Sequence, residues 1–128
     1  MTEYVDKDVQ RLLHMIESIK RLVRMLSGKV KDDFLCDEVL QSAASFEVST
    51  IGESAGHISE ELQAKFPEIP WGKMRGLRNR LVHIFDYEQI DYDILWNVAV
   101  SDLPELESAL RKVLATIPLP KDFTLPEV

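Results

Sequence analysis

"EYVDKDVQRLLHMIESIKRLVRMLSG", residues 3–28, decides the fold. Val5, Val9, Leu12, Ile16, Ile19, Val23 and Leu26 recur at alternating steps of four and three, which is the period of one apolar helix face. Nothing in the stretch alternates with the period of two that a strand requires. Gly28 follows the last stripe residue, where a helix stop belongs. At ~1.5 Å per residue the predicted helix is about 35 Å long.

The same period runs through the rest of the chain. After a connection in "KVKDDFLCDEV", residues 29–39, Asp32 or Asp33 is the expected cap of a second helix. Leu40, Ala44, Val48, Ile51, Ala55, Ile58 and Leu62 form its stripe, and Pro67 and Pro70 place its end near Phe66. Gly52 and Gly56 lower its helix propensity, which predicts a packing reason for them. Pro70 suits the first turn of a third helix, whose buried side is Trp71, Met74, Leu77, Leu81 and Ile84 or Phe85. Asp91 reads as the cap of a fourth, with Leu95, Val98, Leu106, Leu110, Val113 and Ile117 facing inward. Pro104 lies inside that pattern, so a kink or split is expected near Asp102. The expected architecture is an all-α, up-and-down bundle of four helices, or five if the last one splits. It occupies residues 1–117 as one domain, followed by a weakly ordered tail over 118–128 that carries Pro118, Pro120 and Pro126.

Composition narrows the function. A length of 128 residues suits one domain with its own core, and 45% hydrophobic with 29% charged residues fits an ordinary globular chain. Cys36 is the single cysteine, so no internal disulfide forms and nothing points to an oxidising compartment. The charged start, "MTEYVDKDVQ", is not that of a signal peptide, and no apolar run approaches the ~18 residues of a membrane span. A cytoplasmic location is the default expectation. The net charge of -7 argues against a non-specific nucleic-acid coat. The charge is uneven, however. Five bases and one acid lie between Lys65 and His83, and seven acids and no base lie between Asp86 and Glu107. Such a basic segment is either one solvated helix face or a localised phosphate contact.

The histidines are dispersed, and no HExxH or CxxC spacing is present, so neither a metal nor another cofactor is expected. His14 and His57 read as boundary or core histidines, and Glu53 as a structural partner for an arginine of the third helix. His83 has different company. Asn79 lies four residues before it, on the same face of a helix, and Arg78 and Arg80 flank that face. A histidine beside guanidinium groups is the minimal equipment for cutting RNA without a metal. The imidazole moves the proton of the ribose 2′-OH or of the leaving 5′-oxygen, and the arginine steadies the phosphate. The five-residue step from Arg78 to His83 does not align the pair on an ideal helix. They converge if the helix end bends, or if a second copy supplies one of them. One histidine per chain is also too few to be acid and base together, so this reading predicts a homodimer with a shared cleft.

Arg78, four intervening residues and His83 resemble the signature of HEPN-domain ribonucleases. "IGESAGHISEEL" (51–62), "PEIPW" (67–71), "RGLRNRLVH" (75–83), "DYDILW" (91–96) and "DLPEL" (102–106) are similar, in order and spacing, to the HepT-like branch. The resemblance implies a dimerising HEPN-like helical bundle and a type II toxin that cleaves RNA without a metal. It implies Arg78 and His83 as the catalytic pair, with Asn79 and Arg80 supporting. The implied partner is a minimal nucleotidyltransferase antitoxin, which in some members adenylylates a tyrosine next to the motif. The branch carries that tyrosine two residues after the histidine, where this chain has Phe85. Tyr87 either takes the role, as the candidate modification site, or the role is absent. A HEPN module that binds a nucleotidyltransferase without cutting RNA is the alternative.

Overall fold

A computed structural model describes residues 3–77 and 91–118 of the chain. Every regular element among them is helical. α1 spans Glu3–Leu26, α2 Lys31–Leu35, α3 Glu38–Gly56 and α4 Glu60–Lys65. Residues 71–77 form the described part of α5. α6 (Tyr92–Asn97) runs through a π-helical turn (Val98–Asp102) into α7 (Leu103–Ala115). The architecture is an all-α bundle, as the periodicity predicts, but the described residues form more and shorter helices than the four or five expected. The later positions of the predicted third helix (Leu81, Ile84 and Phe85) and tail residues 119–128 lie outside the described residues.

α1 is the central helix, packed against α3 on one side and α7 on the other. Its stop is as expected: Gly28 takes φ +75°, a conformation that side chains beyond glycine rarely adopt. The buried stripe is rotated slightly from the expected one. Leu12, Met15, Ile16, Ile19 and Leu22 are fully buried, whereas Val23 is 42% exposed. Two neighbours flank α1, and the stripe widens to serve both.

α1 and α3 run antiparallel, and a polar contact lies near each end of α1, one to α3 and one to the head of α4. Near the end of α1, Arg21 Nε donates to Glu47 Oε2 at 2.9 Å and Nη2 donates to Glu47 Oε1 at 3.3 Å. The hydrogen bond to Glu47 holds the Arg21 guanidinium above its usual range, against the opposing effect of burial. Near the start of α1, the buried Asp8 carboxylate accepts from the backbone N–H and from the hydroxyl of Ser59.

Two expectations for the second helix are corrected. Its cap is Asp37, whose Oδ1 accepts from Leu40 N at 3.0 Å. Asp33 instead accepts from Val30 N at the head of α2, a short helix absent from the sequence reading. The predicted long helix also breaks after Gly56. Ser59 caps α4 by accepting from Leu62 N at 3.1 Å. The stripe passes over the break because Ala55, Ile58 and Leu62 all stay buried.

The split near Asp102 occurs as a π turn. Pro104 has no N–H for the carbonyl of Val100, and its ring crowds that carbonyl. One wider turn removes the conflict: Leu103 N donates to Val98 O, five residues back, and Pro104 falls in the first turn of α7. Asp91 caps α6 as expected, accepting from Ile94 N at 3.2 Å. Phe34 of α2 is fully buried, edge-on to Tyr92 with centroids 6.0 Å apart and tilted against Trp96 at 5.6 Å. Among the described residues no helix is long and apolar enough to cross a membrane.

Candidate functional site

Arg78, Asn79, Arg80, His83 and Tyr87 lie outside the described residues, as does Phe85. The structure describes what leads into this segment and what receives it.

α5 is anchored at its first residue. The Trp71 indole N–H donates to the carbonyl of Phe66, the residue closing α4, at 3.0 Å. Met74 N donates to Pro70 O at 3.0 Å and closes the first turn. Trp71 and Met74 are buried, and Leu77 packs on the core edge. The chain therefore enters residue 78 from a helix seated at fixed positions on the bundle. It returns at Asp91, fixed by its capping bond to α6.

The outer side of α5 is cationic. Lys73 and Arg75 are both exposed. Arg75 Nη1 donates to Gln63 Oε1 at 2.9 Å, and Gln63 Nε2 donates to Ile58 O at 2.9 Å. The arginine stem crosses Gly56, where an added Cβ would lie 3.9 Å from both Arg75 Cγ and Cδ. A Cβ there would make only ordinary contact, so the crossing does not itself require glycine at 56; Gly52 is buried inside α3. Arg75 belongs to the basic cluster visible in the sequence, whereas Gln63 was not foreseen. No spacing rule links positions 63 and 75, which the turn over 66–70 brings together.

Between α5 and the π turn lies an apolar groove of about 420 Å³, lined by Met74, Leu77, Val98, Leu103 and Leu106, with Lys73 and Asp102 among its polar residues. The π turn that Pro104 requires thus forms part of the surface facing α5.

The remaining candidates sit elsewhere. His14 is exposed on α1, and so is neither a boundary nor a core histidine. His57 is also exposed, at the end of α3, with Nε2 3.3 Å from Glu53 Oε1. Glu53 is likewise exposed, away from the buried stripe. Cys36 is exposed and free. Among the described residues no group of three or more His, Cys, Asp or Glu side chains is gathered as a metal site would require.

A family model described as "Ribonuclease HepT-like" matches residues 15–113, a span that includes α5, the segment after it and the π turn. The chain belongs to the ribonuclease HepT-like family. Among its relatives, "Probable ribonuclease HepT" of Thermococcus cleftensis is 30% identical over 107 residues, covering 84% of this chain and 90% of that protein. "Putative RNase MJ1380" of Methanocaldococcus jannaschii is 30% identical over 108 residues, covering 84% and 97%. "Putative RNase TTE0752" of Caldanaerobacter subterraneus is 29% identical over 103 residues, covering 80% and 90%. No solved structure matches the chain at a significant level. The HepT-like match agrees with the ordered segments "IGESAGHISEEL" to "DLPEL", all of which lie inside residues 15–113.

Proposed function

We propose that this HepT-like chain is a metal-independent endoribonuclease in which Arg78 and His83 act on the scissile phosphate. The observation that carries the reading is the family match over residues 15–113, within which Arg78 and His83 stand in the Arg-x4-His arrangement. The named relatives support it, since each is named a ribonuclease.

In the proposed reaction the ribose 2′-oxygen attacks the adjacent phosphorus and loses its proton to a histidine acting as base. The bond from phosphorus to the 5′-oxygen breaks, and a second histidine returns a proton to that oxygen. The products are a 2′,3′-cyclic phosphate and a 5′-hydroxyl. Arg78 neutralises charge on the phosphate oxygens as the bonds exchange. Asn79 and Arg80 support the strand. One His83 per chain supplies one of the two proton-handling groups, so the site is shared by two copies in a homodimer. The biological role is that of a toxin, held in check by a minimal nucleotidyltransferase antitoxin, with Tyr87 as the residue it modifies.

The alternative is a non-catalytic HEPN module that binds the nucleotidyltransferase. Phe85, in place of the tyrosine of the HepT-like branch, favours it. RNA cleavage by the purified protein in EDTA, beside His83→Ala, separates the two. Cleavage to 2′,3′-cyclic ends that vanishes in the folded variant supports the nuclease. Equal cleavage by both proteins removes His83 from the mechanism, and no cleavage by either one favours the module.

A further inference from the structure

Arg75 carries an inference that rests on the ribonuclease reading and extends it. Most charged side chains on a helical bundle are free to wander, and ordering one costs conformational entropy. Arg75 has a partner. Its guanidinium is held by Gln63 Oε1 at 2.9 Å, and Gln63 is itself fixed by its bond to Ile58 O. The stem lies on Gly56, and Nη2 passes 3.5 Å from the position a Cβ would take on Gly72. One anchored amide thus holds an exposed cation beside the start of the Arg-x4-His segment.

The holding group is neutral. Elsewhere in this acidic chain Arg21 and Arg111 each sit on a carboxylate, Glu47 and Glu107, at 2.9 Å. Among the described residues Arg75 makes no such pair; its acceptor is an amide oxygen, which leaves the full positive charge for another anion. Guanidinium carries five N–H donors, and Gln63 takes one. The free donors suit the paired oxygens of a phosphate.

Position completes the argument. Arg78 lies three positions after Arg75, and a step of that length reaches at most ~11 Å in any conformation. A strand whose scissile phosphate is gripped at Arg78 therefore brings its neighbouring phosphates within range of Arg75. We infer that Arg75, steadied by Gln63, binds a phosphate of the RNA strand beside the one that is cut. It is a binding residue, distinct from the pair proposed to perform the reaction.

The test uses the full-length protein and a 2′-O-methyl oligoribonucleotide, which lacks the attacking hydroxyl, titrated at several salt concentrations. Arg75→Ala is expected to weaken binding about fivefold and to lower the slope of log affinity against log salt by about 0.7. Gln63→Leu keeps the charge but loosens it, so it weakens binding about twofold at unchanged slope. Lys112→Ala, an exposed charge on α7, controls for net charge and leaves both quantities as they are. With cleavable RNA, Arg75→Ala raises KM and leaves kcat unchanged. Wild-type binding and slope retained in folded Arg75→Ala overturn the inference, as does an equal loss in Lys112→Ala. A wild-type protein that neither binds the analogue nor cuts RNA removes the ribonuclease reading itself, and this inference with it.

Discussion

Ser59 and Asp8 lie 51 residues apart in sequence, and the Asp8 carboxylate takes both the backbone N–H and the hydroxyl of Ser59. Ser59 at the same time accepts from Leu62 N and starts α4. The cap of one helix is thus clamped by the first helix of the bundle. Asp8 is 5% exposed and Ser59 9%, so water does not readily replace a lost partner. Asp8→Ala is expected to cost about 2–3 kcal/mol and Ser59→Ala about 2 kcal/mol, read from urea unfolding. The double variant should lose less than the two combined, with a coupling of about 1 kcal/mol or more. Independent, additive losses would mean that the clamp is not what holds α4.

Arg21 and Glu47 join α1 to α3. Glu47 is buried at 7% exposure, and Arg21→Ala leaves its carboxylate without that partner. Because the Arg21 side chain is 44% exposed, solvent screens part of the loss, and a cost of about 1–2 kcal/mol is expected. Replacing both residues, as Arg21→Met with Glu47→Leu, should recover most of it. The guanidinium is held above its usual range by the hydrogen bond it donates to Glu47. A raised cationic group contributes stability fully below its unfolded pKa and loses it only as pH climbs through the folded one. For an arginine that window lies far above the neutral range. Titration of Arg21 therefore adds no slope to stability between pH 6 and 9, and urea midpoints of Arg21→Lys and wild type should differ by the same amount at both ends.

Ser45 is 6% exposed on α3, and its hydroxyl has no hydrogen-bond partner among the described residues. A buried, unpaired hydroxyl is a standing cost, and alanine is also the better helix former. Ser45→Ala should raise stability by about 1 kcal/mol, a gain of roughly 3–5 °C in Tm. A drop in Tm would show that the hydroxyl finds a partner in solution.

Much of the fold can be read from spacing alone. The period of apolar residues in α1, the glycine after it, Asp91 at the head of α6 and the conflict at Pro104 are local features, and each lies where its own stretch of chain places it. The break between α3 and α4 was also marked, by Gly56 and by Ser59 followed by Glu60 and Glu61. It was missed because Ala55, Ile58 and Leu62 keep helical spacing across it, so burial alone does not report the gap. The cap at Asp37 was missed because three aspartates near the connection satisfy the same local rule, and only the position of the short helix α2 chooses among them.

The sequence by itself determined the helical class, the stop of α1, the start of α6 and membership of the HepT-like family, because periodicity, caps and motif segments are written in short stretches of chain. The tertiary structure alone decided which polar groups meet: Asp8 with Ser59, Arg21 with Glu47, and Gln63 with Arg75. These pairs are separated by 51, 26 and 12 residues. Their meeting depends on how whole helices cross and turn, and that is set by the packing of the core they surround.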